Sequence, residues 1–374
     1  MRRASSSRLV THDAATAASA TPAGLRYVND ETPGITRLAR GTGFAYRDAN
    51  GRVVRDRATL DRIAALVLPP AWTGVWISPH ADGHLQATGR DQRGRKQYRY
   101  HDEWTAERGA NKFESLVAIA RALPRIRRAV RRDLALPGLP KERVLAAVVQ
   151  VMDKTFVRVG GEKYRRENGS LGITTLRGRN VRARGTRVRF DFLGKSGKRH
   201  QPEVEDPAVA RVVRRCLDLP GYNLFQYEHD DGPRIVSAAD VNDYLRAIAG
   251  RPFSSKDFRT WGGTVRAASY LRKAPRPASA SAAKAAVREA IRAAAAALGN
   301  TPAVCRRSYV HPKVVASWLE GGDAPPVALR GLRADEQAAL GVLVAVRGAA
   351  KSSPRRMARA NTAPGRIAAV AAVG

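Results

Sequence analysis

The chain has 374 residues, with 66 Lys and Arg against 33 Asp and Glu, a formal net charge of +33 and a pI near 11.3. Its 44% hydrophobic content is enough for packed cores, which excludes wholesale disorder, and the length fits two or three domains. A charge so far beyond what solubility needs excludes an ordinary acidic-substrate enzyme as the whole account and points to a polyanion, most simply nucleic acid.

Residues 1–24 are rich in Arg, Ser and Ala and lack apolar periodicity. They read as a flexible basic arm rather than a transit peptide, because the same Ala/Arg bias runs through the whole chain. From Leu25 to residue 104 the signals are strand-like and turn-rich: Gly43 to Tyr46, the Asn50-Gly51 turn, Val75 to Ile77, Ala81-Asp82-Gly83, and Arg93-Gly94 before Gln97 to Tyr100. A short helix over 58–68 precedes Pro69-Pro70, and the whole reads as a small, mostly β domain. His80 and His84 share an HxxxH spacing, but Pro79 and Asp82-Gly83 make the segment a turn, not the helix face that a metal pair needs.

The pattern then changes. Phe113, Leu116, Val117, Ala120 and Leu123 recur at helical spacing, and Val144 to Met152 form another apolar helix. A β-rich patch spans Ile173 to Phe192, after which helices return. Ser237 with Asp240 predicts a capping box. Ala280 to Leu298 contains almost only helix formers and stops at Gly299, and Thr301-Pro302 opens the next helix. Residues 105–347 thus form a larger, mainly helical domain, which makes the chain α+β. From residue 348 to 374 there is neither an acid nor an aromatic, the signature of a disordered basic tail. No uncharged apolar run reaches the roughly 18–20 residues of a membrane span. The two cysteines, Cys216 and Cys305, are too few for a disulfide framework or a cysteine zinc site. A cytoplasmic or nucleoid setting without metal or cofactor is expected.

Four segments could carry chemistry. Gly194-Lys195-Ser196-Gly197-Lys198 lacks the spacing of a nucleotide-binding loop. Val188, Phe190 and Phe192 alternate with Arg187, Arg189 and Asp191 before it, so Lys195 is expected at a hairpin tip. Arg158 follows an apolar helix and precedes Gly160-Gly161, where an arginine is either a snorkelling surface residue or a phosphate fork. Lys256 and Arg259 form a KxxR pair on a helix. Tyr309 lies where the helix opened at Thr301 must end, because Pro312 disfavours the α region at His311. Taken singly, each is an ordinary surface or packing feature.

Together, in this order, they resemble the type IB DNA topoisomerases, in particular the compact poxvirus-like and bacterial members. The segments that carry the resemblance are TFVRVGGEKYRRENGSLGITTLRGRNV, FDFLGKSGKRHQ, KDFRTWG and NTPAVCRRSY. It extends over roughly residues 25–320. KDFRTWG separates this group from the tyrosine recombinases, which usually carry His in place of Lys256. A recombinase and a DNA binder that has lost catalysis are the alternative readings.

The resemblance implies a monomeric clamp on double-stranded DNA that relaxes positive and negative supercoils without ATP or an obligatory metal. Tyr309 would be the nucleophile, forming a 3′-phosphotyrosyl bond. Arg158 and Arg259 would stabilise the transition state, Lys195 would be the general acid, and Asn300 would hydrogen-bond the phosphate. Gln97, Tyr98, Tyr100, Lys163, Tyr164 and Lys256 would contact DNA. Of the basic residues 54 are Arg and 12 are Lys, and only Lys can release a proton to a leaving oxygen. Poxvirus and eukaryotic members carry His where this chain has Asn300, whereas some bacterial members also have Asn there. Gly161 falls where some relatives have a basic residue.

Overall fold

Between positions 35 and 100 short apolar-containing runs build a sheet whose two central strands are buried on both faces and whose outer strands are largely exposed. A computed structural model describes residues 24–345 except 323. The basic arm expected over 1–24, apart from Gly24, and the tail expected over 348–374 lie outside the described residues. Strands β1 (Ile35–Arg40), β2 (Gly43–Arg47), β3 (Thr73–Ile77), β4 (Leu85–Arg90) and β5 (Lys96–Tyr100) pair antiparallel in the order β2-β1-β3-β4-β5. Ile35, Val75, Ile77 and Ala87 of the sheet pack on Ile63 of helix α1 (Arg57–Ala65). The Asp56 side chain caps α1 by accepting from the Thr59 amide. This helix stops at Ala65, short of the Leu68 expected, because Val67 turns into the left-handed region at φ 48°.

The second part is mainly helical, so the expected α+β class with a mostly β N-terminal part holds. Helix α2 (Asp102–Glu114) is followed by α3 (Leu116–Leu134), on which the apolar α4 (Lys141–Thr155) lies. A short α5 (Glu162–Asn168) comes next. The expected β patch then begins as 3-10 turns, Ile173–Thr175 and Gly178–Asn180, rather than strand. There Thr175 Oγ1 accepts from the Gly172 amide at 2.9 Å and Asn180 Oδ1 from the Arg177 amide at 3.0 Å, so side chains take backbone donors that a ladder would otherwise use. Strands β6 (Val181–Arg184), β7 (Arg187–Phe190) and β10 (Glu203–Glu205) form a small sheet, and β8 (Phe192–Leu193) with β9 (Arg199–His200) form a hairpin.

Helices α6 (Pro207–Asp218) and α7 (Ala238–Ala249) flank a two-stranded ladder of β11 (Gln226–Tyr227) and β12 (Arg234–Ile235). The expected capping box closes α7: the Ser237 amide donates to Asp240 at 2.9 Å and the Asp240 amide to Ser237 Oγ at 3.1 Å. Helix α8 (Ser255–Lys273) is buried along most of its length and packs against α9 (Ala280–Leu298). The chain continues through α10 (Pro302–Ser308), α11 (Pro312–Leu319) and α12 (Ala334–Val344). Among the described residues no helix is long and apolar enough to cross a membrane.

A buried ionic network ties α12 to the core. The Arg127 guanidinium of α3 grips Asp153 of α4 at 2.8 and 2.9 Å and Glu336 of α12 at 2.7 Å through each of two nitrogens. Trp261 Nε1 of α8 donates to Glu336 at 3.2 Å, and Arg333 reaches Asp153 at 3.0 Å. Burial alone would raise the Glu336 carboxyl, but hydrogen bonds from Arg127 outweigh it and hold the group below its ordinary range. Removing Arg127 would strand two carboxylates in the core. Arg127→Met is therefore expected to lower the unfolding free energy by about 3–5 kcal/mol, read from urea denaturation at pH 7. A loss below about 1 kcal/mol, the range of exposed pairs, would contradict a desolvated network.

Candidate active site

Three helix ends meet at one point. The first is the C-terminus of α4. Phe156 leaves it in the left-handed region, at φ 56° and ψ 21°. This conformation is unusual for a residue with a side chain and is held only by its surroundings. The Phe156 ring fills the space that Gly262 of α8 leaves open, where a Cβ would overlap it. Two residues further on, Arg158 sits on a segment pinned from both sides. The Arg158 carbonyl accepts from the Ile173 amide at 2.9 Å and the Val159 carbonyl from the Thr174 amide at 2.9 Å.

The second end is that of α9, capped by Gly299 at φ 61°. It delivers Asn300, whose Oδ1 accepts from Arg158 Nη2 at 2.6 Å. The third is α10, held at its start by the Thr301 side chain and Pro302 as the sequence predicts, with Tyr309 as its C-cap residue. The Tyr309 backbone leans on α8: its carbonyl accepts from Thr264 Oγ1 at 3.3 Å, and a Cβ on Gly263 would stand 2.6 Å from that same oxygen. The Gly262-Gly263 pair thus lets α8 approach both the Phe156 ring and the Tyr309 backbone.

Arg259 of α8 joins the three. It is only 4% exposed. Its Nη1 donates to the Phe156 carbonyl and its Nη2 to the Leu298 carbonyl at 2.8 Å, while its guanidinium carbon lies 5.2 Å from the Tyr309 ring centroid. Burial first, and then nearby Arg158, push the Arg259 pKa down to about 10 against the opposing pull of Tyr309. The group still carries its charge at neutral pH. The hydrogen-bond partners of Arg158 and Arg259 are therefore neutral oxygens, in contrast to Arg127, which faces two carboxylates. Among the described residues, buried Arg259 Nε and Asn300 Nδ2 find no hydrogen-bond partner. Unneutralised guanidinium charge beside unsatisfied donors is a site short of an anion.

Lys195 stands apart. It occupies the tip of the β8–β9 hairpin, as the strand alternation predicts, and is exposed. Among the described residues no hydrogen bond joins it to the Arg158, Arg259, Asn300 and Tyr309 cluster. Lys256 is exposed in the first turn of α8, and Lys163 and Tyr164 are exposed on α5. On β5, Tyr98 and Tyr100 share one face, stacked with centroids 6.1 Å apart and 9° between planes, and Lys96 Nζ lies 5.6 Å from the Tyr98 centroid. Gln97 alternates to the other face, where its amide donates to Asp91 at 2.9 Å.

Sequence reasoning missed His200. This residue of β9 is half-buried, and its imidazole is pushed below its ordinary value of 6.5, first by burial and then by Arg158, Arg259 and Lys198. His311 is lowered likewise by burial and by Lys313. The available signal for His200 was its place in the strand just after the Gly-bounded tip. Both imidazoles titrate lower in the folded chain than in the unfolded one. The stability they contribute is complete above about pH 6.5 and declines as pH falls below that value. Between pH 7 and 5 the melting temperature of a His200→Gln/His311→Gln variant should fall less steeply than that of the native chain; equal slopes would contradict the assignment.

Comparisons with known proteins identify the family. Residues 99–320 match the family model of the eukaryotic DNA topoisomerase I catalytic core, and residues 43–91 that of the bacterial DNA topoisomerase IB N-terminal domain. The chain is 32% identical over 285 residues to the DNA topoisomerase 1B of Acanthamoeba polyphaga mimivirus, covering 74% of this chain and 85% of that protein. It is 22% identical over 233 residues to the DNA topoisomerase 1B of vaccinia virus strain Western Reserve, covering 59% of this chain and 68% of the relative. Against the DNA topoisomerase 1 of Daucus carota the identity is 30% over 129 residues, 33% of this chain and 15% of the relative. Matched in both its β part and its helical part, and over most of the length of the mimivirus protein, the chain belongs to the type IB DNA topoisomerases.

Proposed function

We propose that this topoisomerase acts as a monomer on duplex DNA and relaxes positive and negative supercoils through Tyr309, without ATP or an obligatory metal. The observation that carries the reading is the pair of guanidiniums with neutral partners, Arg158 and Arg259, packed beside the Tyr309 ring. A scissile phosphate in that position supplies the missing negative charge. The Tyr309 oxygen attacks phosphorus and its phenolic proton passes to solvent. The bond from phosphorus to the 5′ oxygen breaks as the 3′-phosphotyrosyl bond forms, and Lys195 gives the leaving oxygen its proton.

Charge on the nonbridging oxygens grows in the transition state, where the fixed forks of Arg158 and Arg259 and the free Asn300 Nδ2 hydrogens meet it. One phosphoester replaces another, so the bond energy is kept. The freed strand end rotates, and resealing runs the same steps backwards. Tyr98 and Tyr100, with the exposed Lys163, Tyr164 and Lys256, are read as contacts to the duplex. Gln97 would reach DNA only by leaving Asp91.

Plasmid relaxation in EDTA without ATP tests the reading. Tyr309→Phe should abolish relaxation and the covalent adduct that detergent traps; relaxation by that variant, or a requirement for magnesium or ATP, would overturn it. Arg158→Ala should slow single-turnover cleavage by roughly 100- to 1000-fold, the effect of losing one preorganised transition-state donor. Gly263→Ala tests the packing behind the nucleophile. Its methyl displaces the Tyr309 backbone, and cleavage should fall by about 100-fold with the circular dichroism spectrum unchanged. Full activity would contradict the close approach.

A further inference from the structure

The hairpin that carries Lys195 is coupled to the guanidinium cluster through one side chain. In its stem Phe192 pairs with His200, and their rings stack with centroids 5.5 Å apart and 19° between planes. The imidazole is wedged between two glycine backbones from distant parts of the chain. A Cβ on Gly194 would stand 2.6 Å from His200 Cδ2, and one on Gly299 would overlap Cε1. Gly194 is the residue before Lys195, and Gly299 is the residue before Asn300, whose amide oxygen holds Arg158. One flat ring therefore spaces the turn bearing the proposed acid from the turn bearing the phosphate donors.

We infer that His200 is a positioning residue, whose ring sets the approach of the Lys195 hairpin to the phosphate held by Arg158, Arg259 and Asn300. The inference rests on the reading of Lys195 as the acid. Three features fit a spacer more than a direct participant. The ring is gripped on its edge by backbone rather than aimed into open space. Its electrostatic neighbours Arg158, Arg259 and Lys198 are cations, which disfavour a fourth positive group there. The hairpin also has a separate anchor, the Leu171 amide donating to the Leu193 carbonyl at 2.9 Å, so the stem persists when the ring is removed. What is lost without the ring is the spacing, and acid catalysis is sensitive to displacements of about 1 Å.

Single-turnover cleavage of two DNA substrates separates this role from a general structural one. One carries the natural 5′-bridging oxygen. The other has sulfur there, and its thiolate leaves without a proton. His200→Ala should cleave the oxygen substrate roughly 10- to 100-fold more slowly than the native chain, yet cleave the sulfur substrate within about threefold of it. Gly194→Ala, at a φ of −96° that alanine adopts freely, forces the ring aside and should show the same selective loss. Adding Gly194→Ala to His200→Ala, or His200→Ala to Lys195→Ala, should cost little more than the first change alone. Equal slowing of both substrates by His200→Ala and Gly194→Ala, or no slowing of either, overturns the inference. If Lys195→Ala is rescued by sulfur and the His200 and Gly194 variants are not, only the role of His200 falls. If Lys195→Ala itself is not rescued, the acid assignment falls and takes the inference with it.

Discussion

A buried guanidinium organises this molecule. Arg259 is withdrawn from water inside the helical part and, among the described residues, pairs with no carboxylate; its two terminal nitrogens donate to the carbonyls of Phe156 and Leu298. Burying a charge without a counterion is costly, and the depressed pKa of Arg259 records that cost. The two carbonyls belong to the ends of α4 and α9, the turns that deliver Arg158 and Asn300. The Tyr309 ring lies against the same guanidinium. One arginine thus joins the end of α4 to the end of α9, more than a hundred residues further along the chain, and to the nearby Tyr309. On the proposed reading, an incoming phosphate relieves the cost of burying that charge.

The contrast with Arg127 shows that this is specific to the site. Arg127 is almost as buried, but Asp153 and Glu336 neutralise it fully. The Arg127 network stiffens the wall behind the site, since Asp153 sits in the last turn of α4 and Trp261 on α8 donates to Glu336. One guanidinium centre is neutralised by carboxylates and the other is bound only by neutral oxygens, and both draw on α4 and α8. Among the described residues most of the other Lys and Arg side chains are exposed, which suits sequence-tolerant attraction to a polyanion.

Local signals in the sequence placed individual residues well. Pro312 set the helix end at Tyr309, strand alternation put Lys195 at a hairpin tip, and Gly299 marked the end of α9. What remained illegible was contact between distant segments. Nothing near Arg158 indicates that its partner is Asn300, 142 positions away. Gly262 and Gly263 read locally as weak helix formers, and their value lies in letting Phe156 and Tyr309 approach. His200 carries no motif of its own, because its partners are backbone atoms of two glycines. The stretch after Ile173 reads as part of a β-rich patch, but side chains of Thr175 and Asn180 take the backbone donors there. The resemblance to the type IB topoisomerases brought together residues whose individual signals were ordinary.

The central claim is that the phosphate held by Arg158 and Arg259 is attacked by Tyr309 and by no other group. The most direct measurement is to quench a cleavage reaction with denaturant, digest the adduct with protease and nuclease, and sequence the nucleotide-bearing peptide by mass spectrometry. The account predicts a single peptide modified at Tyr309, joined to the 3′ phosphate, with a free 5′-hydroxyl on the released strand. A modification on another residue, or attachment through a 5′ phosphate, would contradict it.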